Sequence, residues 1–386
     1  MTLPRIAQRL RAIPPSGLVH FFDLLAGMED VLSLGIGEPD LPTPEPICRA
    51  GRAALEQGKI GYTSNAGLPA LRQRIAAHLA RSYGVEYDPE GEILITVGVS
   101  EALHLALMAV LDPGDALLLP EPCFVAYDPC VRLVNGVPLP VATTVEHGFQ
   151  VTRQQLAEAW RPGTKALLIN YPNNPTGAVM GREGLLEVAQ FALERDLVVI
   201  SDEIYDRFVY GVEHTCFAAL PQMRDRTILL GGFSKAYAMT GWRIGYACGP
   251  RDLIEAMHKA HQYIIMSAPT LGQLGALQAL TCEDDCAAEI VQEFGRRREV
   301  MLQGLRSIGL PTYPSPGAIY LFPSIAPTGL SAQEFSERLL LEEKVAVVPG
   351  DAFGPSGAGF VRVAYTVPLP QIEEALERME RFLRRL

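Results

Sequence analysis

The chain between about residues 90 and 250 repeats one pattern. A short apolar run of strand length is followed by polar or glycine-rich residues and then by a helical pattern. The apolar runs are Glu92–Val97, Ala116–Pro120, Ala166–Asn170, Leu197–Ser201 and Thr227–Leu230. They are continuously apolar rather than alternating, which is typical of strands covered on both faces. The pattern therefore predicts an α/β fold with a mainly parallel sheet.

The pattern changes after residue 285. An arginine-rich helical stretch leads into the strand-like runs AIYLFP, KVAVVPG and FVRVAY, which are separated by proline and glycine. This arrangement predicts a second, smaller α+β domain. A chain of 386 residues is long enough to form two domains.

Composition excludes several classes of function. The formal net charge is -11, and a nucleic-acid surface needs clustered Lys and Arg, so we predict no nucleic-acid partner. No segment has the apolar length of a membrane span or a signal-peptide core, so we expect a cytoplasmic protein without a membrane partner. The seven cysteines are scattered and are expected to be reduced. Cys282 and Cys286 lie one helical turn apart, but their acidic neighbours are typical of a solvated helix start, so no metal site is predicted.

The residues that follow the apolar runs carry the candidate chemistry, because ligands of open α/β sheets bind at the carboxyl ends of the strands. In chain order they are GVSEA (98–102), EPCF (121–124), YPNNPTG (171–177), DEIY (202–205) and GGFSKAYAMTGWR (231–243). Each alone is also explained by a helix cap, a turn or a solvated lysine. Together they offer an amine, a carboxylate, a phenol, an amide and a phosphate cradle. A phosphorylated pyridine aldehyde requires this set of groups.

These motifs resemble those of the class I/II aminotransferases, which are fold-type I enzymes that use pyridoxal 5'-phosphate (PLP). The resemblance runs from GIGEPD (35–40) and GYT (61–63) through NPTG, DEIY, SK and TGWR to Arg362. It implies a large domain, residues 46–283, with a mainly parallel seven-stranded sheet between helices. A smaller α+β domain would combine an N-terminal segment, residues 1–45, with residues 284–386.

The resemblance also implies roles for the residues around the cofactor ring. Lys235 would hold the cofactor covalently and move a proton to and from the α-carbon of the substrate. Asp202 would pair with the ring nitrogen, although a helix cap is the simpler explanation of this residue. Tyr205 and Asn174 would hydrogen-bond the ring oxygen, and Phe124 would stack on the ring.

The cofactor phosphate would be held at the start of the helix that follows the first apolar run. Its backbone amides at Val99, Ser100 and Glu101 can point at an anion, although Ser100 is equally explained as a helix cap. Side chains of Ser234 and Arg243 would add contacts, and Tyr62 would reach the phosphate from the partner subunit of a homodimer with shared active sites.

Two residues depart from the better-known aspartate enzymes. Gly232 stands where that branch usually has a serine hydroxyl on the phosphate. Glu101 places an acidic side chain beside a dianion, so we expect that side chain to point away.

The substrate α-carboxylate would be bound by Arg362 as a bidentate fork, with a surface salt bridge as the alternative explanation of this arginine. The backbone of Gly37 would close over the same carboxylate. Residues 1 to about 45 would then act as a mobile gate.

The predicted activity is transfer of an amino group from an L-amino acid to a 2-oxo acid, with 2-oxoglutarate as the expected acceptor. A PLP-dependent β-elimination lyase acting on cysteine-type substrates is the main alternative, and a non-catalytic PLP-binding regulator is a third. Around residues 263–266, where dicarboxylate-selective relatives present a second arginine, the sequence is YIIM. This favours an apolar or aromatic donor and leaves aspartate open.

Overall fold

The computed structural model describes residues 6–11, 13, 28–58, 60–282 and 285–386. Its central feature is a seven-stranded sheet of order β2-β8-β7-β6-β5-β3-β4. The strands are β1 (Leu32–Ser33), β2 (Ile93–Thr96), β3 (Ala116–Glu121), β4 (Val137–Ala142), β5 (Thr164–Asn170), β6 (Val198–Asp202), β7 (Thr227–Gly232), β8 (Gly245–Cys248), β9 (Tyr320–Leu321), β10 (Val345–Ala346), β11 (Val348–Pro349) and β12 (Val361–Ala364). Only β8 runs antiparallel to its neighbours in the large sheet. The predicted α/β class and mainly parallel sheet are confirmed.

Helices connect the strands and cover both faces of the large sheet. The described helices are α1 (Gln8–Arg11), α2 (Glu45–Glu56), α3 (Pro69–Tyr83), α4 (Gly98–Val110), α5 (Tyr127–Leu133), α6 (Arg153–Ala159), α7 (Arg182–Glu194), α8 (Arg251–Ile264), α9 (Thr270–Ala279), α10 (Ala288–Ser307), α11 (Ala332–Glu343) and α12 (Leu369–Leu383). None of the helices in these described ranges is long and apolar enough to cross a membrane.

The continuous apolarity of the strands has the expected cause. Successive residues of β3 enter different hydrophobic clusters: Leu117 and Leu119 pack with α4, whereas Leu118 packs with α7 on the other face. All six residues of β3 are buried. Side chains of a strand point alternately to opposite faces, so a strand covered on both sides needs apolar residues throughout.

The two strands that the sequence pattern missed are explained by their position. The edge strand β4 contains Pro138 and Pro140 and exposes part of one face. Proline cannot donate a ladder hydrogen bond and is tolerated at a sheet edge. Strand β8 has only four residues and directly follows a glycine-rich loop.

Two small sheets lie outside the large one. Strand β1 pairs in parallel with β10, which brings Leu32 opposite Val345. Strand β12 pairs with β11 and β9 in an antiparallel sheet. Residues 32 and 33 are therefore joined to the C-terminal part, and the domain limits at residues 45 and 283 stay predictions.

One expectation about the cysteines was wrong. Cys282 and Cys286 are joined in a disulfide, whereas reduced thiols were expected. Their Cα atoms lie 6.5 Å apart, within the range that a disulfide can bridge. The other five cysteines are free.

Candidate active site

A cavity of about 350 Å³ opens at the carboxyl ends of β2, β5, β6 and β7. It brings together most of the residues singled out in the sequence. Those that line it are Gly37, Val99, Ser100, Phe124, Asn174, Asp202, Tyr205, Ser234, Lys235, Arg243 and Arg362. Glu101 and Tyr62 are not among the lining residues.

Asp202 ends β6 and is buried, with 4% of its surface exposed. Its Oδ2 accepts a hydrogen bond from Tyr127 Oη at 2.8 Å, and its Oδ1 accepts one from Ile204 N at 3.1 Å. The second contact is a local turn hydrogen bond rather than the helix cap offered as the simpler explanation, because residues 204–207 form turns and no helix begins there. Burial raises the pKa of Asp202 to about 6, although both hydrogen bonds act to lower it. Within the described chain this carboxylate forms no ion pair, so the site holds a buried acid that a cationic ligand would stabilise.

Tyr205 lies three residues after Asp202, and its hydroxyl is 2.8 Å from that of Tyr320. Either hydroxyl can donate in this pair. Burial and the neighbouring Tyr320 raise the pKa of Tyr205 well above its usual range. The phenol therefore keeps its proton and can serve as a hydrogen-bond donor in the cavity.

Arg362 is buried in β12 between two aromatic rings. Its guanidinium carbon lies 4.4 Å from the ring centroid of Tyr320 and 4.7 Å from that of Phe353. Nη1 donates to Asn174 Oδ1 at 2.9 Å, and Nη2 donates to the backbone oxygen of Gly35 at 2.6 Å. Nε is buried and has no acceptor in the described structure. Burial lowers the pKa of Arg362, so an anion beside this guanidinium would be bound strongly.

Lys235 is half-buried and points into the cavity. Its Nζ donates to the backbone oxygen of Gly37 at 2.6 Å and lies 6.0 Å from the ring centroid of Tyr205. A Cβ on Gly37 would meet the Tyr320 hydroxyl at 1.9 Å, so only glycine lets this backbone pass so close to the site. The backbone oxygen of Gly37 accepts from Lys235, whereas the backbone oxygen of Gly35 accepts from Arg362.

The start of α4 forms a cradle with Arg243. Gly98 begins the helix with a φ of 67°, and a Cβ at this position would lie 2.6 Å from Arg243 Nη2. Arg243 itself has a φ of 57° and donates from Nη1 to Thr240 O at 2.8 Å. A guanidinium beside the free amides of a helix N-terminus is suited to a phosphate. Ser100 lies in the first turn of the helix rather than at its cap, which removes the simpler explanation of that residue.

Glu101 points away from this cradle, as expected. Its Oε2 accepts a hydrogen bond from Val97 N at 2.6 Å, and its Oε1 lies 2.8 Å from Nδ1 of the buried His261. The side chain therefore fixes the turn between β2 and α4 against α8.

Tyr62 lies on the surface, with 84% of its side chain exposed. Gly232 ends β7, and a Cβ there would touch Ile204 Cδ1 at 3.0 Å and Val99 Cγ2 at 3.1 Å. A side chain at this position would have to displace both neighbours. Residues 1–5, 12 and 14–27 of the predicted gate lie outside the described residues, and the mobility of the segment up to about residue 45 stays a prediction.

Three residues of the site were missed by sequence reasoning. Tyr127 donates to Asp202, and Tyr320 joins Tyr205 to Arg362. Asn170 donates from Nδ2 to Asp202 O at 2.8 Å and accepts from Asn174 N at 3.0 Å. Asn170 ends an apolar run, so the rule that singled out the predicted site residues could also have found it. The same rule could not have found Tyr320, because it comes from a distant strand.

The family is decided by a match over most of the chain. The family model "Aminotransferase class I and II" matches residues 29–379. The chain belongs to the class I and II aminotransferases. The resemblance seen in the motifs is thereby confirmed, and so is the fold-type I architecture.

Individual relatives of this aminotransferase carry different substrate names. It is 45% identical to the aspartate aminotransferase of Pyrococcus abyssi over 98% of each chain. It is 42% identical to aromatic-amino-acid aminotransferase 2 of Thermococcus litoralis, again over 98% of each chain. The crystal structure of an aromatic aminotransferase from Pyrococcus horikoshii OT3 matches with a TM-score of 0.91 at 43% identity, covering 95% of this chain and 99% of that one.

Aminotransferases of this class use PLP, and the cavity of this member fits it. Among the described residues, the buried Asp202 has no paired cation and Arg243 with the start of α4 has no paired anion; a protonated pyridine and a phosphate would supply them. The buried Nε of Arg362 has no acceptor in the same part of the chain, and a substrate carboxylate would supply one. These three groups are matched by the ring nitrogen and the phosphate of PLP and by the α-carboxylate of the substrate.

Proposed function

We propose that this aminotransferase moves the amino group of an L-amino acid with an uncharged, apolar or aromatic side chain to a 2-oxo acid. One observation carries the proposal. A single cavity contains an amine, a buried carboxylate and two guanidinium groups, at Lys235, Asp202, Arg243 and Arg362.

Each of these groups has a separate task. Arg362 binds the α-carboxylate of the donor and so orients its α-carbon. Lys235 Nζ removes the proton from that α-carbon and later returns a proton to the product amino acid. PLP, when bound, supplies an electron-accepting ring and the aldehyde carbon that links to amines. Asp202 keeps the ring nitrogen protonated, and Tyr205 donates to the ring oxygen.

The residues around the substrate favour an uncharged donor side chain. The described lining residues include three cations, Lys235, Arg243 and Arg362, and each already has a task. The remaining wall is largely apolar, with Ile36, Leu103, Phe124 and Ile204 among its residues, and Glu38 adds a negative charge. The second carboxylate of aspartate would therefore meet no free cation in this part of the chain.

The acceptor proposed is 2-oxoglutarate, which rests on the family resemblance. A donor panel of aspartate, phenylalanine, tyrosine, alanine, leucine and kynurenine tests the donor class. An acceptor panel of 2-oxoglutarate, pyruvate and phenylpyruvate tests the other half-reaction. A strong preference for aspartate over all apolar donors would contradict the proposed specificity.

The reaction type is tested by mixing the holoenzyme with a donor and no 2-oxo acid. Transamination predicts one stoichiometric conversion of the cofactor to its pyridoxamine form. Continuous pyruvate release from a cysteine-type substrate would instead indicate the β-elimination lyase. Failure with every donor, despite bound cofactor, would favour the non-catalytic regulator.

A homodimer is proposed from one exposed surface. Residues 60–66 pack against residues 266–273 through hydrogen bonds such as Asn65 Nδ2 to Met266 O at 2.6 Å. The joint surface exposes large apolar side chains, with Tyr263 87% exposed. Its other members are Ile60, Tyr62, Ile264 and Met266. A second copy that covers this surface would shield these side chains and bring Tyr62 to the neighbouring cavity.

Sedimentation of wild type and of the double variant Tyr263→Asp, Ile264→Asp tests the dimer. We expect a dimer and a monomer, respectively. A wild-type monomer, or an unchanged dimer in the variant, would contradict this interface. We also propose a cytoplasmic location, for which recovery in the soluble cytosolic fraction is the test.

A further inference from the structure

A second cavity, of about 760 Å³, lies beside the active site. Its walls come from the end of β3, the start of α5 and residues 349–355. Phe124 lines both cavities, and Phe353 lines the second cavity while its ring packs against Arg362. The two cavities are therefore neighbours that share aromatic walls.

The side chain of Glu121 lies in this second cavity without a partner. Only 8% of the residue is exposed, and its carboxylate forms no hydrogen bond or ion pair with any described residue. The backbone is held firmly, because Glu121 O accepts from Thr143 N at 2.8 Å and from Thr143 Oγ1 at 2.7 Å. A Cβ on Gly354 would lie 2.6 Å from Oε2, so the carboxylate rests directly against that glycine.

A buried carboxylate without a partner is unfavourable, and buried charges in proteins are normally paired. Burial, together with the nearby Asp128, raises the pKa of Glu121 to about 7. A cation placed beside Glu121 would stabilise the charged carboxylate and lower its pKa.

The rest of the cavity is suited to a cation with an apolar stem. Asp351 adds a second acidic group and Gln333 adds an amide, and Asp128 also lines the cavity but is paired with Arg132. Arg132 is held by Asp128 through Nε at 2.7 Å and Nη2 at 2.9 Å, so it is not directed to Glu121. The described lining residues include no lysine or arginine, and most of the others are apolar.

We propose that this second cavity binds an ammonium or guanidinium group on a short aliphatic stem, with Glu121 as its counter-ion. The cation has two possible sources. It is either the distal group of an amino donor that extends past Phe124, which would add cationic donors to the uncharged class proposed above, or a separate small amine or guanidine. The site does not depend on the proposed transamination, because its binding is measurable without turnover.

The test uses the holoenzyme and n-butylguanidinium, which does not react with the cofactor aldehyde as a primary amine does. Its neutral, nearly isosteric control is n-butylurea. Calorimetry should show that wild type binds the cation at least about tenfold more tightly than the urea, as a charge-assisted hydrogen bond requires. The variant Glu121→Gln should lose that preference, whereas the exposed, remote Glu183→Gln should keep it.

The donor half-reaction separates the two sources. If arginine reacts about tenfold faster than norleucine at low concentration, and Glu121→Gln removes the difference, the cation belongs to the donor. If n-butylguanidinium binds but arginine has no advantage, the ligand is a separate cation.

Equal binding of cation and urea by wild type would overturn the proposal, as would an unchanged preference in Glu121→Gln. The comparison in wild type keeps the test decisive even if the variant does not fold. Failure of transamination would leave the binding result unaffected.

Discussion

Arg362 Nη1 donates to Asn174 Oδ1 across 2.9 Å, although the two residues are 188 positions apart. The bond ties the loop after β5 to strand β12. The residue expected to meet the cofactor ring is thus attached to the residue expected to bind the substrate. The hydrogen bond therefore helps to hold both side chains in position in the cavity.

The variant Lys235→Ala should lose the visible absorption of bound cofactor and all turnover. Among the described residues the variant removes one side-chain hydrogen bond, from Nζ to Gly37 O, so the fold should lose about 1 kcal/mol or less. Absorption spectra, activity and thermal unfolding measure the three effects. Normal activity in this variant would end the assignment of Lys235.

Lysine in place of either arginine of the site separates substrate from cofactor binding. Arg362→Lys should weaken substrate binding about 10- to 100-fold, because an ammonium cannot reproduce the planar fork, and should change cofactor binding little. Arg243→Lys should weaken cofactor binding and change substrate binding little. Titrations with a donor analogue and with PLP measure both constants. Equal losses in Arg362→Lys would indicate a structural role.

The affinity for PLP should fall as the pH drops through about 6. Because burial raises the pKa of Asp202 to about 6, its carboxyl is protonated below that pH and loses the charge that pairs with the ring nitrogen. The cofactor phosphate titrates in the same range, so the comparison is with Asp202→Asn. The Kd of wild type should rise more steeply from pH 8 to pH 5 than that of the variant. Parallel curves would remove Asp202 from this role.

Glu101 should matter for cofactor binding although its side chain faces away from the phosphate cradle. Glu101→Ala leaves the Val97 amide and the His261 ring without their partner. We expect destabilisation of about 1 to 3 kcal/mol and a looser phosphate turn, seen as weaker PLP binding. Glu101→Gln can still accept from Val97 N and should lose less. A larger loss in Glu101→Gln than in Glu101→Ala would contradict this explanation.

Glu121 should make the stability of the protein depend on pH. Its pKa is raised from 4.5 to about 7 in the folded state, so folding favours the protonated form. Protonation of Glu121 therefore stabilises the folded state, and this contribution is fully present below pH 4.5 and is lost as the pH rises through about 7.

Urea unfolding of wild type and Glu121→Gln at pH 5 and pH 8 measures this effect. Relative to wild type, the glutamine variant should be more stable at pH 8 than at pH 5. A constant difference would show that the carboxyl titrates normally.

The strands and the residues directly after them could be predicted because they depend on residues that are close together in the sequence. Apolar runs predicted the parallel strands, and parallel strands end at one edge, so the residues after them had to meet. Asp202, Tyr205, Asn174, Lys235 and Arg243 were therefore placed correctly in one cavity. Strands β4 and β8 were missed, since prolines interrupt the apolar run of β4 and β8 begins with a glycine directly after a glycine-rich loop.

The sequence by itself determined that the chain forms a mainly parallel sheet and which residues gather at the carboxyl ends of the predicted strands. Tertiary structure alone decided the contacts between distant segments, such as Tyr127 with Asp202, Tyr320 with Tyr205 and Gly35 with Arg362. It also decided that Glu101 has partners and that Glu121 has none within the described chain. Periodicity reports which face of an element is buried, whereas the partner of a polar side chain depends on how the elements pack together.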